Sequence, residues 1–276
     1  MTMLRLYSGA LYLFLYTPIA LIILFSFNAG RHATSFTCCS AEWFARALDN
    51  PFITEALLNS AGVALVSALI ATVFGTLAVF GLERVKGPLR VFYDALTYCA
   101  IIIPGIVIGI ATLIALVTTF NAVNPVLAAV WPTAWGEAPS LNMGFGSVIA
   151  AHSLFTMALV IVIVRTRVQS LDKALLEASA DLYATPLQTF FSVTLPQIAP
   201  AIIAGFLLAF TFSFDDFIIA FFLAGSETTL PIYIFSSIRR GVTPEINAIS
   251  TLIIVFSLAM LFTARWLETR RQPTAA

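Results

Sequence analysis

The sequence has very little charge. Of its 276 residues only 10% are Asp, Glu, Lys or Arg, whereas 60% are hydrophobic. Soluble domains carry about 25% charged residues, because their surfaces require them, so an ordinary water-soluble domain is excluded. Fourteen basic residues balance fourteen acidic ones. This neutrality gives no indication of a nucleic-acid partner.

Lysine and cysteine are also scarce. A phosphate-binding P-loop requires Gly-Lys followed by Ser or Thr, but Lys86 and Lys173 are followed by Gly and Ala. The chain therefore cannot hydrolyse ATP through that motif, and any ATPase has to act in trans. The cysteines, Cys38, Cys39 and Cys99, lack zinc-site spacing. We expect no catalytic residue, cofactor or metal in this chain.

Long charge-free runs are what the sequence has instead. A membrane-spanning helix needs about 20 apolar residues, and backbone polar groups within lipid have to be satisfied internally. The runs lack the alternation of barrel strands, so we predict an all-α integral membrane protein with one transmembrane domain over 1–276. The six predicted spans are 10–27, 57–82, 95–120, 146–164, 198–224 and 246–264.

The basic residues predict that both termini lie in the cytoplasm, because cytoplasmic loops carry an excess of Lys and Arg. This N-in, C-in topology leaves only Arg31, Arg46, Arg239 and Arg240 outside. The basic residues that it places inside are Arg5, Arg84, Lys86, Arg90, Arg165, Arg167, Lys173, Arg265, Arg270 and Arg271.

The longest predicted cytoplasmic connection, residues 165–196, is named the coupling segment here. Leucines at helical spacing, with Ala178 and other small residues among them, predict a short helix. Thr185-Pro186-Leu187-Gln188 predicts the start of a second one, with Thr at the N-cap, Pro at N1 and Gln completing a capping box. We expect Leu195-Pro196 to end it. On these residues alone, an ordinary amphipathic connector is an equal alternative.

The order of residues in the coupling segment resembles the EAA loop of permease subunits in bacterial ATP-binding-cassette (ABC) importers. Glu177-Ala178-Ser179 is followed by three residues, Tyr183, nine residues and Val193-Thr194-Leu195-Pro196. The family pattern is Glu-Ala-Ala, three residues, Gly, nine residues and Ile-x-Leu-Pro. Asn59 and the serine after it also resemble a recurrent Asn-Ser of these permeases.

Two positions depart from that pattern. Ser179 replaces the second Ala, which is a mild change, whereas Tyr183 stands where the family has Gly. Gly usually permits a left-handed backbone at such a turn. Either the turn is a different one here, or Tyr183 is strained.

The resemblance implies the type I ABC importer permease fold and a role in transport rather than enzymatic catalysis. It also implies a heteromeric complex in the bacterial inner membrane, with a second permease, two ATPase subunits that bind ATP and Mg, and an extracytoplasmic solute-binding protein. The coupling segment would dock on the ATPase. The residues implied in that coupling are Glu177, Ala178, Ser179, Asp181, Tyr183, Leu195 and Pro196.

Two carboxylates interrupt the fifth predicted span. Asp215 and Asp216 lie among Phe212, Phe214 and Phe217, and acids within the membrane indicate a functional site. Aromatic rings with carboxylates suit an organic cation. Adjacent helical residues point about 100° apart, so at most one of the two faces a pathway squarely. Capping of a broken helix, or pairing with a basic residue of a partner subunit, is an equal alternative.

The sequence around these acids is similar to the second permease of spermidine/putrescine importers. The similar stretches are Ser213–Phe222, Thr229–Pro231 and Arg240–Ala248, and His152 also resembles a His of those permeases. The resemblance implies a polyamine or a related small cation as substrate, with His152 and Asn59 as further candidate pathway residues. A lone membrane His is more often an interhelical hydrogen-bonder.

One departure leaves the substrate open. Polyamine permeases often carry Pro-Asp where Pro104-Gly105 stands here, so opine or amino-acid-derived substrates are an alternative. A second alternative is a proton-coupled transporter that uses Asp215 or Asp216 as the relay. An aspartic hydrolase is disfavoured, because its two carboxylates converge about 3 Å apart and adjacent helical positions are poorly placed for that.

Overall fold

The computed structural model describes residues 2–30, 35–37, 39–241 and 243–270. Arg31, Cys38 and Arg271, which entered the sequence analysis, lie outside the described residues. The described chain is helical, with no strand beyond an isolated bridge between Asn28 and Cys39.

The α-helices are α1 (Thr2–Ser26), α2 (Glu42–Asp49), α3 (Pro51–Arg84), α4 (Pro88–Ile102), α5 (Gly105–Val130), α6 (Phe145–Gln169), α7 (Lys173–Asp181), α8 (Pro186–Thr189), α9 (Leu195–Asp215), α10 (Ile218–Leu223), α11 (Leu230–Arg240) and α12 (Pro244–Arg270). A 3₁₀ turn follows α5 at Thr133–Trp135, and a π-helical turn, Phe190–Thr194, joins α8 to α9.

Six helical segments of the described chain are long and apolar enough to cross a membrane, which confirms the predicted number of spans. They are Met3–Ser26, Pro51–Arg84, Gly105–Val130, Phe145–Gln169, Pro186–Asp215 and Pro244–Thr263. The N-in, C-in orientation and the single domain over 1–276 remain predictions.

The third span differs from the predicted 95–120. The chain breaks at Ile103, whose ψ of 131° is extended, and the helix long enough to span begins only at Gly105 and runs to Val130. Proline disfavours the helical conformation in the residue before it. Pro104 therefore separates α4 from α5, a break that hydropathy alone does not register.

The fifth span also differs from the prediction, at both ends. The expectation that Leu195-Pro196 ends a short helix is wrong, because the helical path runs unbroken from Pro186 to Asp215. A proline ring clashes with the carbonyl one turn earlier, and the wider π turn before Leu195 relieves that crowding. The predicted continuation to residue 224 is wrong too, since α9 ends at Asp215.

The chain groups into two compact units, residues 1–59 with 228–259, and residues 60–227 with 260–276. In the first unit the Trp43 indole donates to the Asn28 carbonyl at 2.6 Å. In the second, α6 packs most extensively on α9. A Cβ on Gly75 of α3 would lie 3.1 Å from Val160 of α6, so these two helices cross closely.

Candidate functional site

The first helix of the coupling segment, α7, is capped at both ends. Asp172 is the N-cap, and its carboxylate accepts from the Ala174 amide at 2.9 Å. At the other end the Tyr183 amide donates to the Ala180 carbonyl, and the Ala184 amide donates to the Ser179 carbonyl. These two bonds are those of a Schellman motif.

Tyr183 occupies the left-handed position of that motif. Its φ of 58° is the one positive value among the described non-glycine residues. The turn is therefore the one that glycine favours, and Tyr183 is held in it at an energetic cost. This outcome decides between the two alternatives that the sequence left open.

The second helix of the coupling segment starts as predicted. The Thr185 hydroxyl accepts from the Gln188 amide at 3.4 Å, and the Gln188 side chain accepts from the Thr185 amide at 2.8 Å. Both bonds of the capping box are therefore present, with Pro186 in the first turn. This confirms the predicted N-terminus of α8.

Most of the predicted coupling residues lie on the surface of the chain. Tyr183 is 95% exposed and Leu182 beside it 81%. Ser179 differs, because it is buried and hydrogen-bonds the Thr189 hydroxyl at 2.8 Å, which ties α7 to α8. Leu195 is half-buried. The remaining exposed members of the predicted set are Glu177, Ala178, Asp181 and Pro196.

A closed ring of four charged side chains, named the ion ring here, joins Arg165, the first residue of the coupling segment, to α3 and α4. The sequence analysis missed this ring. The Arg165 guanidinium donates to both Asp94 oxygens, at 2.6 and 3.3 Å. The Arg90 guanidinium lies 3.2 Å from a carboxylate oxygen of Asp94 and 3.2 Å from one of Glu83. The Arg165 guanidinium lies 3.8 Å from the same Glu83 oxygen. Arg165 holds the pKa of Asp94 below its ordinary value, and partial burial opposes this.

At the interruption of the fifth span, Asp216 acts as a cap. Its backbone is extended, with ψ 122°, and its Oδ2 accepts from the amides of Ile219 at 2.8 Å and Ala220 at 3.1 Å. A carboxylate that satisfies the free amides of a helix N-terminus stabilises that start. The prediction that an acid of this pair caps a broken helix is confirmed for Asp216.

His152 of α6 faces the same interruption. It is 2% exposed, and its Nδ1 lies 2.7 Å from the Ser213 hydroxyl of α9. Its Nε2 lies 3.2 Å from Asp216 Oδ2, without the alignment of a hydrogen bond. A carboxylate only accepts, whereas the Ser213 hydroxyl can donate or accept, so the two ring nitrogens face different kinds of partner. His152 therefore links α6 to both sides of the break.

Asp215 has a different environment from Asp216. It is the last residue of α9 and is exposed, whereas the Asp216 side chain is 22% exposed and engaged by α10 and His152. Phe212 is exposed and packs near Phe155, while Phe214 is buried and stacks on Phe210 at 5.9 Å.

Two further predicted pathway residues make contacts of their own. Phe217 lies between α9 and α10, and its ring is 5.3 Å from that of Phe221. Asn59, in the first unit, donates through its amide to the Thr228 carbonyl at 3.1 Å. Among the described residues, no three His, Cys, Asp or Glu side chains converge as metal ligands would.

Comparison with known sequences identifies the family. Residues 73–273 match the model of binding-protein-dependent transport system inner membrane components. The putrescine transport system permease protein PotI of Escherichia coli K12 is 36% identical over 244 residues, which cover 87% of this chain and 82% of PotI. The spermidine/putrescine permease PotC of Haemophilus influenzae is 32% identical over 91% of this chain and 90% of PotC.

Solved structures share the fold at lower identity. A chain of a bacterial ABC transporter that imports the acidic polysaccharide alginate matches with a TM-score of 0.70 at 16% identity, over 99% of this chain and 96% of its own. A chain of the MetNI methionine ABC transporter matches with a TM-score of 0.59 at 15% identity, over 79% of this chain and 96% of its own. The helical architecture is thus that of ABC transporter permeases.

The residues matched by the family model include α4 to α10, with the coupling segment, the ion ring and the interrupted fifth span. The family match and the relatives, together with the six apolar helices, indicate a multi-pass protein of the bacterial inner membrane that serves transport rather than catalysis. The chain belongs to the family of binding-protein-dependent transport system inner membrane components.

Proposed function

We propose that this permease subunit carries a polyamine, such as putrescine or spermidine, or a related small organic cation into the cell. The observation that carries the proposal is the exposed Asp215 at the C-terminal end of α9. A helix C-terminus has a partial negative charge from its free carbonyl groups. The Asp215 carboxylate adds a full negative charge, so the end of α9 attracts an ammonium group.

The other pathway residues support this role in different ways. Phe212 is 45% exposed, so its ring is available to an organic cation. Asp216 and His152 shape the helix break rather than meet the substrate, because their polar atoms are turned toward α10 and toward each other. The names of PotI and PotC, which include putrescine, point to the same chemical class.

The proposal extends to the partners and to the energy source. A second permease, two ATPase subunits that bind ATP and Mg, and an extracytoplasmic binding protein complete the importer. Exposed Glu177 makes a polar contact with an ATPase subunit, and Ala178 packs there because its small side chain allows close approach. Asp181, Tyr183 and Pro196 flank this contact. Closure of the ATPase pair then moves the coupling segment and switches the pathway between its two orientations.

A second candidate substrate class follows from Gly105. Polyamine permeases often have an acid at this position, and this chain has none there. An amino-acid-derived or opine substrate carries fewer positive charges than spermidine and needs fewer carboxylates. Competition by such compounds against putrescine uptake distinguishes the two classes.

The test is uptake by the assembled complex in liposomes, with labelled putrescine and spermidine. We expect ATP-dependent uptake, and we expect Asp215→Asn to raise KM about tenfold, which corresponds to a loss of about 1.4 kcal/mol in binding. Asp216→Asn is the matched control. It is expected to lower the melting temperature and leave KM within twofold, because Asp216 caps α10.

Two outcomes contradict the proposal. If Asp215→Asn transports with an unchanged KM, then Asp215 does not meet the cation. If this chain alone drives uptake from a pH gradient without ATP, it is a secondary transporter instead. Equal uptake of amino acids and polyamines would favour the second substrate class.

A further inference from the structure

Helix α4 packs on α6 without burying any of its own residues fully. It ends at the Ile103–Pro104 break. Beside it lies an apolar cleft of about 510 Å³ between α3, α4 and α6, which is open to the surface of the chain. No described residue of the chain fills this cleft, so α4 has room to move there. The cleft is lined by apolar side chains that include Leu82, Tyr93, Leu96, Met157 and Ile161.

The ion ring holds one end of α4 against its neighbours. Arg90 and Asp94 belong to the first turns of α4, Glu83 belongs to the end of α3, and Arg165 belongs to the last part of α6. The Arg90 guanidinium also donates to the Leu82 carbonyl. Since Leu82 also lines the cleft, the ring lies at one end of it. Polar contacts therefore fasten α4 where apolar packing is thin.

The geometry of the ring makes it a firm link. The Arg165–Asp94 pair is bidentate, a geometry that fixes orientation as well as distance. The Arg165 and Arg90 side chains are 19% and 18% exposed, and Asp94 is 26% exposed. Their signs alternate around the ring, so each charge has an opposite partner. Partly buried pairs are screened less by salt than exposed ones.

The same ring is connected to the coupling helix α7 through the end of α6. This helix ends at Gln169, and α7 begins at Lys173, so only three residues separate the two. Gln169 itself donates to Glu83 at 3.3 Å. A displacement of α7 therefore reaches Arg165 across a three-residue connection and the last turn of α6.

We propose that the ion ring transmits movement of the coupling helix α7 to α4, with Arg165 and Asp94 as positioning residues. This inference rests on the proposed function, because α7 moves when the ATPase closes. Helix α4 then turns about the Pro104 break, and the cleft takes up the displacement. The ring residues touch neither substrate nor ATP; they act by making α4 follow α6.

The experiment compares ring variants in the assembled complex, reconstituted in liposomes with putrescine and ATP. Arg165→Gln and Asp94→Asn are each expected to lower putrescine uptake at least tenfold, with ATP hydrolysis reduced less than twofold. The double variant is expected to be no worse than either single one, since both remove the same link. Arg165→Lys keeps the charge without the bidentate geometry and should recover part of the uptake.

Arg167→Gln is the matched control. Arg167 lies on the same end of α6, but it donates to the Gln197 carbonyl at 3.0 Å and is outside the ring. We expect this variant to transport as the unaltered complex does. A loss of uptake equal to that of Arg165→Gln would show that removal of either positive charge at this end of α6 impairs transport, whether or not that charge belongs to the ring. This result would overturn the inference.

A direct measurement follows the helix itself. Val91, at the ring end of α4, is exposed. Labels at Val91→Cys and at Leu77→Cys on α3 give a distance, once Cys38, Cys39 and Cys99 are replaced by Ser. The distance is expected to change between the nucleotide-free and ATP-bound complex, and Arg165→Gln should abolish that change. A change that survives in Arg165→Gln, or no change in the unaltered complex, overturns the inference. Because this distance measurement needs no transport, it tests the inference even if putrescine proves not to be a substrate.

Discussion

Replacement of Tyr183 by glycine is expected to stabilise the end of the coupling helix. A non-glycine residue in the left-handed region costs roughly 1–2 kcal/mol. Glycine gains more freedom in the unfolded chain, roughly 0.5–1 kcal/mol, which offsets part of that relief. Because the Tyr183 ring is 95% exposed, its removal loses little packing. The net gain is about 0.5–1 kcal/mol.

Hydrogen exchange of the Ala184 amide measures this gain. This amide donates to the Ser179 carbonyl at 3.1 Å and closes the turn at Tyr183. A gain of about 1 kcal/mol slows exchange through local opening by about fivefold. Tyr183→Ala is the matched control, since it removes the ring but keeps the Cβ. It should exchange at the original rate. Equal slowing in both variants would refute the strain argument.

The same two variants separate strain from contact. If the exposed Tyr183 ring meets the ATPase, then Tyr183→Ala and Tyr183→Gly should lower substrate-stimulated ATP hydrolysis by the same factor, although only one of them stabilises the turn. A loss confined to Tyr183→Gly would instead mean that the strained turn itself serves the coupling. Measured side by side in the assembled complex, the two readouts give independent answers.

Four other substitutions test backbone strain, capping and packing. Gly225→Ala should lower the melting temperature and reduce the free energy of unfolding by more than about 2 kcal/mol. The reason is that φ is +61° and the new Cβ would lie 2.7 Å from the Met143 carbonyl oxygen. Gly87→Ala is the control, because Gly87 also has a positive φ but faces open space, and it should cost about half as much. Thr185→Ala should cost about 1 kcal/mol through loss of its cap, seen as faster amide exchange in α8. His152→Ala should lower the melting temperature, because it removes the contacts with Ser213 and Asp216. A variant as stable as the original would contradict the link between α6 and the helix break.

Features that depend on nearby residues were predicted correctly. The capping box at Thr185 needs only a hydroxyl and an amide three residues apart, and both bonds form. The six spans follow from the cost of placing charge in lipid, and all six helices are present in the described chain. The EAA-like residues Glu177 to Tyr183 lie in α7 and the turn after it, between the fourth and fifth apolar helices.

Features that depend on backbone geometry were predicted less well. Hydropathy placed the ends of the third and fifth spans wrongly, because an apolar composition does not reveal where a helix stops. Pro104 ended one helix by restricting Ile103, and Asp216 ended another by capping the next. At Leu195-Pro196 the reverse error occurred, since a π turn let the helix continue.

The sequence by itself determined the class of the protein, its six spans and the start of α8, because lipid solvation and capping act on residues that are near in the chain. Only the tertiary structure decided which aspartate caps and which is exposed, and it alone closed the ion ring. Arg165 and Asp94 are 71 residues apart. Charges on different helices meet only when packing brings the helices together, and counting them along the sequence could assign them no more than a side of the membrane.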